Sequence, residues 1–245
     1  METLVFDINA SFGHFKVPYT TTSPLTFPIP PKTSVAGMVS CIIGLDKTDY
    51  LNYFNQDDFK IAIEILKPIK MIIINENFIN VKNVKYFARM PKGKSCRTQI
   101  NIEFLKDPSY RIYLYHKNDK VFKELQNNLR EHKSIYTFCM GLSECIGNFI
   151  YIGKFISQMV VGNNSFIELS SVLPLSQIDK STIAFNTNEN KKYIKIHLPT
   201  HINNNRELVS SDEIIIERDG KSMDVKLNMF WKIDINGSEK NVLFF

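Results

Sequence analysis

The sequence predicts an α+β fold in which a split βαβ, ferredoxin-like unit is followed by a smaller β-rich half. Three observations support this prediction. To about residue 155 the apolar periodicities follow the order strand, helix, strands, helix, strand. Beyond residue 160 short strand-like runs replace helical patterns, and the 245 residues are 44% hydrophobic, enough for a sizeable core. We therefore divide the chain into residues 1–158 and 159–245.

The first strand is predicted by strict alternation in "TLVFDINASF". Apolar side chains at every second position would share one face, and Gly13 would end the strand. The alternating residues are Leu4, Phe6, Ile8, Ala10 and Phe12.

The first helix follows an unusual approach, "TFPIPPKTSVAGMVSCIIG" at residues 26–44. Its three prolines predict a rigid, extended segment, because proline fixes φ and restricts the residue before it. Thr33 or Ser34 is a suitable N-cap, and Gly44 a suitable C-terminal stop. One face carries small residues, including Gly37, so we expect close packing by a neighbour there. The capped helix start beside Lys32 is also a potential phosphate site.

The remaining N-terminal elements have clear patterns. Strands are predicted at "FKIAIEILK", "MIIIN", "TQINIEFL", "YRIYLYH" and "NFIYIGKF". The segment "KVFKELQNNLRE" has an amphipathic helical stripe, with Asn118 or Asp119 as its cap.

The C-terminal half is predicted to be a set of short strands. They fall at "FIEL", "KYIKIHL", "EIIIE", "DVKLNMF" and "NVLFF". The dipeptides Asp219-Gly220 and Asn236-Gly237 are typical of hairpin turns.

Positive charge is concentrated in the middle of the chain. The net charge is +5, but residues 82–133 hold 13 Lys/Arg against 5 Asp/Glu, and the rest of the chain is slightly acidic. Within this region "KNVKYFARMPKGKSCR" has no acidic residue. Its cations, interleaved with Tyr86 and Phe87, are Lys82, Lys85, Arg89, Lys92, Lys94 and Arg97. Such a segment is either a solvated hairpin or a basic, aromatic finger that tracks nucleic-acid phosphates and stacks on bases.

Several function classes lack their motifs. HExxH, P-loop and GxSxG patterns are absent from the sequence, and its four cysteines show no CxxC spacing. We expect no metal and no cofactor. No uninterrupted apolar run is long enough to cross a membrane and no signal peptide is apparent, so we expect a reduced, cytoplasmic protein without a membrane partner.

One cluster suggests catalysis. Tyr115, His116 and Lys117 in "LYHKN" are residue types that support metal-independent RNA cleavage, with a base for the 2′-OH and a cation for the phosphorane. Adjacent strand residues point to opposite faces, which favours the alternative of a solvated strand end.

Three blocks together resemble a known family. They are "FGHFKVPYTTTSPLTFPIPPKTSVAGMVSCIIG", "CRTQINIEFLKDPSYRIYL" and "MGLSECIGNF", spanning about residues 12–150. In order and spacing they are similar to the CRISPR-associated Cas five family, a RAMP-type subunit of type I Cascade complexes. The chain looks closest to the type I-B-like branch.

The resemblance implies a fold and a binding surface. Family members have an RRM-like ferredoxin fold with a protruding thumb, a basic β-hairpin that falls here on about residues 76–98. The surface that binds the 5′ handle of CRISPR RNA would comprise the following residues, with Arg97 and Thr98 at the thumb base: Gly13, His14, Phe15, Lys16, Lys32, Thr33, Ser34, Gly37, Lys85, Arg89, Lys92, Lys94, Arg97 and Thr98.

The resemblance also implies partners. Family members bind CRISPR RNA, cap one end of the Cas seven backbone filament and contact the large Cascade subunit near the entry of target DNA. The type I-C branch cleaves precursor CRISPR RNA with tyrosine, histidine and lysine, and "YHK" is similar to that set. In most other branches a separate Cas six endoribonuclease cuts the RNA. We therefore expect a non-catalytic RNA-binding subunit, with a metal-independent endoribonuclease as the alternative.

Overall fold

The structure is a computed structural model that describes residues 1–55, 58–79, 97–163, 165–178 and 190–245. Within these ranges the chain forms mostly β-strands, together with two α-helices. The largest sheet has eight strands and two smaller sheets have three each.

Four neighbouring strands of the large sheet come from the N-terminal half. Strand β1 (Glu2–Ala10) is flanked by β6 (Ser109–His116) and by β7 (Gly147–Val161), and β3 (Phe59–Ile65) lies outside β6. All three pairings are antiparallel. Helix α1 (Lys32–Ile43) lies between β1 and β3 in the chain, and α2 (Asp119–Arg130) between β6 and β7. The order of elements is the one that the sequence predicts.

Both helices cover the same face of these strands. Leu4, Phe6 and Ile8 of β1 are buried in one apolar cluster with residues of α1 and α2, while Phe12 lies at the surface. Asn118 caps α2, because its side-chain oxygen accepts the backbone N–H groups of Lys120 and Val121. The predicted cap is confirmed, and the predicted alternation is confirmed for Leu4, Phe6 and Ile8. The strand ends at Ala10, not at Gly13.

The proline segment before α1 is buried rather than exposed. Pro28, Pro30 and Pro31 have no backbone N–H. Burying this segment is therefore inexpensive, because few backbone donors need a hydrogen-bond partner. The hydroxyl of Tyr110 donates to the carbonyl of Pro28 at 2.6 Å. The predicted cap is wrong: α1 begins at Lys32, and Pro31 occupies the N-cap without a side-chain hydrogen bond. Gly44 ends the helix in the left-handed conformation, as predicted.

The second face of the four strands is covered by the C-terminal part of the chain. Strand β13 (Met229–Ile235) pairs with the end of β7 and with β14 (Ser238–Val242), which continues the sheet. The sheet curls, so that Ile233 and Val242 are buried against Val5 and Tyr113 of the N-terminal strands. Phe245 exchanges two backbone hydrogen bonds with Ile61 on β3.

The other end of the sheet contains two short strands. Strand β8 (Phe166–Leu169) lies between β14 and β12 (Met223–Lys226). The predicted boundary at residue 158 falls inside β7, which pairs with β1 along its first part and with β13 along its last part.

A second sheet packs on α1. It consists of β10 (Tyr193–Ile202), β11 (Leu208–Glu217) and β9 (Leu173–Pro174). Leu198 of β10 and Ile214 of β11 join the same core cluster as α1. Helix α1 is therefore covered on two sides, which explains its nearly apolar sequence.

One of the two predicted hairpins is confirmed. Asn236 and Gly237 have positive φ and connect the paired strands β13 and β14. The other is wrong: the Asp219-Gly220 turn joins β11 to β12, which belong to different sheets. A turn-forming dipeptide indicates only where the chain bends. Packing decides which strand pairs with which.

The third sheet is a long hairpin with one short added strand. Strands β4 (Met71–Ile79) and β5 (Arg97–Lys106) pair throughout, and β2 (Phe12–Gly13) pairs with the end of β5. Among the described residues, neither helix combines the length and the apolar character needed to cross a membrane.

Candidate nucleic-acid interface

The hairpin of β4 and β5, here called the ribbon, has one face that points away from the core. Ile72, Ile74 and Phe104 on one face pack against the core, whereas Ile73 on the other face is 69% exposed. The ribbon begins at Met71 paired with Leu105 and reaches Ile79 paired with Arg97. It starts five residues before the predicted position of the thumb at 76.

Uncharged amides occupy the middle of this outward face. Asn75 pairs with Asn101, and Asn77 pairs with Gln99. All four are exposed. Directly paired side chains in an antiparallel ribbon lie on the same face, so these amides form one row of hydrogen-bond donors and acceptors.

Cations surround the base of the ribbon. Lys67 and Lys70 lie in the loop between β3 and β4, and Lys106 ends β5. The backbone N–H of Lys106 donates to the carbonyl of Lys70 at 2.8 Å, which holds the two residues next to each other. All three side chains are exposed, and Asp107 is the next residue in the chain. By strand alternation Lys106 lies on the opposite face from the amide row, whereas Glu103 lies on the amide face between the row and the base, where its Oε2 accepts the N–H of Thr26 at 3.1 Å. The base is therefore a cationic surface separated from the amide row by one hydrogen-bonded carboxylate.

The predicted residues Gly13 to Lys16 lie against this base. Gly13 pairs with Leu105, and the imidazole Nδ1 of His14 lies 2.7 Å from the carbonyl oxygen of Glu103. His14 and Phe15 are buried, so their side chains position the segment, while Lys16 is exposed. Of these four, only Lys16 presents a charged group to a ligand.

Arg97 and Thr98 lie at the start of β5, paired with Ile79 and Phe78, at the other end of the ribbon from Leu105. Both are exposed, and the strand from Arg97 to Leu105 spans roughly 27 Å. Lys85, Arg89, Lys92 and Lys94 belong to residues 80–96, which are outside the described ranges.

The start of α1 is far from the ribbon base. Lys32 is 5% exposed, and its Nζ lies 5.6 Å from the centroid of the Phe59 ring. Thr33 and Ser34 are partly buried. Phe59 begins β3, whereas the ribbon base follows the other end of that strand, roughly 20 Å away. The structure thus separates the predicted handle-binding residues into distinct places.

Gly37 lies on a third surface. It lines a groove of about 480 Å³ together with Tyr50, Tyr136 and Arg206. A Cβ added to Gly37 would meet no atom within 4 Å. The guanidinium of Arg206 lies 5.9 Å from the centroid of the Tyr50 ring and donates to the carbonyl of Lys47 at 3.0 Å. The groove is therefore open beside Gly37, and its lining includes both aromatic rings and a guanidinium.

The three residues of the "YHK" cluster do not share a site. His116 is buried, with Nε2 2.7 Å from the carbonyl oxygen of Tyr53 and Nδ1 accepting the N–H of Asn118 at 3.0 Å. This arrangement fixes the neutral tautomer with hydrogen on Nε2. Burial lowers the pKa of His116 below its ordinary value. Lys117 is exposed beside Asp58, at 3.5 Å, and Tyr115 lies on the opposite face of β6 from His116.

Sequence reasoning missed the ribbon base and the amide row. Lys67, Lys70 and Lys106 stand outside the densest charge run, and nothing in the sequence reveals that strand pairing brings them together. The amides were detectable in principle, because Asn75 and Asn77, like Gln99 and Asn101, recur with the period of a strand.

Comparison with known proteins places this architecture in a family. The family model described as CRISPR-associated protein (Cas_Cas5) matches residues 3–199, most of the chain. No curated protein matched the sequence.

Two solved structures share the fold. A CRISPR protein from Archaeoglobus fulgidus superposes with a TM-score of 0.56 at 14% identity, covering 99% of this chain and 98% of that one. A chain of a structure entitled "CRISPR RNA-guided surveillance complex" gives a TM-score of 0.52 at 8% identity, covering 89% of this chain and 91% of that one.

The curled, strand-rich fold is therefore that of CRISPR-associated proteins. This chain belongs to the Cas_Cas5 family.

Proposed function

We propose that this chain is a non-catalytic, RNA-binding subunit of a type I CRISPR surveillance complex, and that it binds the 5′ handle of CRISPR RNA through the ribbon. In this proposal the four N-terminal strands and two helices form the RRM-like, ferredoxin-like domain, and the ribbon belongs to the thumb. The observation that carries the proposal is the exposed amide row on a ribbon whose base presents three exposed lysines.

The chemistry of the ribbon suits single-stranded RNA. Lysine ammonium groups bind phosphates, and the amides of Asn and Gln offer donors and acceptors to base edges and 2′-hydroxyls. In the sequence, the segment 80–96 that connects the two strands has further cations and no acidic residue. The ribbon therefore offers phosphate contacts at its base and polar contacts along its outward face.

The other surface that could bind RNA, the sheet face opposite the two helices, is covered by the protein itself. The face of the N-terminal strands opposite the helices is buried under β13 and β14, through Ile233 and Val242 packed on Val5 and Tyr113. RNA bound on that face would have to displace apolar contacts. The ribbon is exposed without any such rearrangement.

The proposed partners follow from the family and from the surveillance-complex chain with the same fold. We expect this subunit to cap a backbone filament of Cas seven subunits and to contact the large Cascade subunit near the entry of target DNA. We expect it to act in the cytoplasm, together with its RNA.

The absence of catalysis is part of the proposal. Both imidazole nitrogens of His116 are engaged by backbone groups, and the ring is enclosed by Phe54 and Phe59. A general base needs a nitrogen within hydrogen-bond reach of the 2′-OH. His116 would have to break its hydrogen bonds to provide one.

The test is the salt dependence of RNA binding by the full chain. The double substitution Lys70→Ala and Lys106→Ala should weaken binding of a single-stranded repeat RNA. It should reduce the slope of log K against log salt by about 1.4, roughly 0.7 for each phosphate that no longer meets a lysine. The matched control is Lys120→Ala with Lys123→Ala on the exposed side of α2, which should leave the slope unchanged. Equal slopes for both double variants would refute the ribbon as the RNA site.

A further inference from the structure

A cavity of about 410 Å³ lies between the large sheet and the β9–β10–β11 sheet, near the start of β3. Lys32 and Lys60 line it, and both stand at the end of the N-terminal unit remote from the ribbon base. The length of β3, roughly 20 Å, separates this cavity from Lys70. The cavity is therefore a separate place from the RNA-binding surface proposed above, and the inference drawn from it does not depend on that proposal.

One wall of the cavity is aromatic and apolar. Trp231 and Met229 of β13 face it together with Met159 of β7. Phe244 packs edge-on against the indole of Trp231, with ring centroids 5.7 Å apart at 90°, and this contact orients the indole. Met159 is 57% exposed, so this wall reaches the surface.

The opposite wall is polar. It contains the hydroxyls of Ser176, Thr200, Ser210 and Ser211 and the amide of Gln177. The hydroxyl oxygens of Thr200 and Ser210 lie 2.9 Å apart and hydrogen-bond to each other, and the hydroxyl of Ser176 donates to Asp212. Each of these oxygens keeps a lone pair that can accept from a ligand. The wall suits a ligand that carries several donors and acceptors.

The charges of the cavity favour an anion. Lys60 is exposed on β3, and no acidic side chain of the described residues lies within ion-pair distance of it. The acid in the described lining is Asp212, whose two carboxylate oxygens accept the N–H and the hydroxyl of Ser176. Lys60 thus brings an exposed positive charge to a cavity in which the described carboxylate is already hydrogen-bonded.

We infer that this cavity binds one nucleotide unit, with the base against Trp231 and the phosphate near Lys60. A planar base is the ligand part that an indole and a thioether wall contact best, and base stacking on aromatic side chains is tolerant of sequence. The hydroxyl wall provides partners for the sugar and the base edges. The volume lies in the range of small-ligand sites and admits one nucleotide but no duplex.

Trp231 is the single tryptophan of the chain, so its fluorescence reports on this cavity directly. The experiment titrates the full-length protein with AMP, adenosine, inorganic phosphate and a short single-stranded RNA, with excitation at the red edge of the indole band. AMP should change the emission in a saturable way, adenosine should bind more weakly, and phosphate alone should leave the emission unchanged. If RNA changes the emission and AMP does not, the cavity binds a nucleotide within an RNA strand rather than a free nucleotide.

The matched variants are Lys60→Ala and Lys123→Ala, both of exposed lysines. Lys60→Ala should weaken the fluorescence-detected affinity roughly tenfold, as expected for the loss of a charged hydrogen bond. Lys123→Ala should not alter it. The same titrations on the Lys70→Ala, Lys106→Ala double variant should still show the AMP response, so the two proposals can fail separately.

Emission that responds to neither AMP nor RNA would overturn the inference and leave the cavity to side chains of a protein partner. Equal fluorescence-detected affinities for AMP in wild type and Lys60→Ala would also overturn it. A response to phosphate alone as large as that to AMP would show that no base contacts Trp231, with the same consequence.

Discussion

His116 is held in place by hydrogen bonds to two backbone groups. Its ring joins the end of β6 to the loop after the short 3₁₀ turn Tyr50–Asn52, with one nitrogen donating to a carbonyl and the other accepting an N–H. The sequence placed this histidine between a tyrosine and a lysine and thereby suggested catalysis. Strand alternation and burial separate the three side chains.

The first prediction at the residue scale concerns cleavage. Wild-type protein incubated with repeat RNA in EDTA should release no discrete product, and His116→Ala should look the same, because the imidazole is enclosed rather than presented to RNA. The measurement is gel analysis over time. A 5′-handle product that the wild type releases and His116→Ala does not would establish the endoribonuclease alternative instead.

The second prediction concerns pH. Burial lowers the pKa of His116 in the folded state, so the unfolded state binds more protons as the pH falls through its ordinary value of about 6.5. The free energy of unfolding should therefore decrease from about pH 7.5 to about pH 5.5. In His116→Gln this decrease should be smaller, as measured by urea unfolding at both values. The control His197→Gln changes an exposed histidine and should keep the wild-type pH dependence.

Helix α1 illustrates what packing does at the scale of an element. Its sequence is apolar on almost every side because the helix lies between the large sheet and β10. The remaining small side, at Gly37, lines the groove beside Tyr136 and Arg206. The sequence predicted that a neighbour packs closely against this side of α1, and the groove leaves room for one.

The prediction for this element is the effect of Gly37→Leu. The new side chain meets open space, so the fold should survive, with a gain of about 0.5–1 kcal/mol from helix propensity. Binding of RNA or assembly with partner subunits should weaken, because the leucine fills part of the groove. Thermal unfolding and pull-down of the complex measure the two effects.

The control for this prediction is Asn127→Leu on the exposed side of α2, which should change neither assembly nor RNA binding. Normal assembly and full RNA affinity in Gly37→Leu would show that nothing approaches this side of α1.

The whole molecule behaves as a curled sheet whose two halves support each other. Strand β7 is shared, since it pairs with β1 and with β13. Ile233 is fully buried between the N-terminal strands and the C-terminal ones. The predicted division at residue 158 therefore crosses a continuous strand.

The prediction at this scale is cooperative unfolding. Ile233→Ala should cost about 2–5 kcal/mol, and the destabilisation should appear equally in hydrogen exchange of β1 and β13, because one cavity weakens the packing of both. Val161→Ala at an exposed position of β7 is the control and should stay within about 0.5 kcal/mol. Destabilisation confined to the C-terminal strands would show that the two halves unfold independently.

The sequence by itself determined the elements and their order. Alternation in β1, the cap at Asn118, the stop at Gly44 and the turn at Asn236-Gly237 are local signals, since each depends on side chains within a few residues. The resemblance in three motif blocks led to the family that the family model confirms.

Only the tertiary structure decided which surfaces exist. Four features of the structure join residues that are distant in the chain. They are the burial of Lys32, the enclosure of His116, the packing of β13 over the N-terminal strands, and the contact of Lys70 with Lys106. Such contacts depend on which strands pair and which faces become buried. Periodicity shows which face of a strand or helix is apolar, but the packing of the whole chain decides which element covers that face.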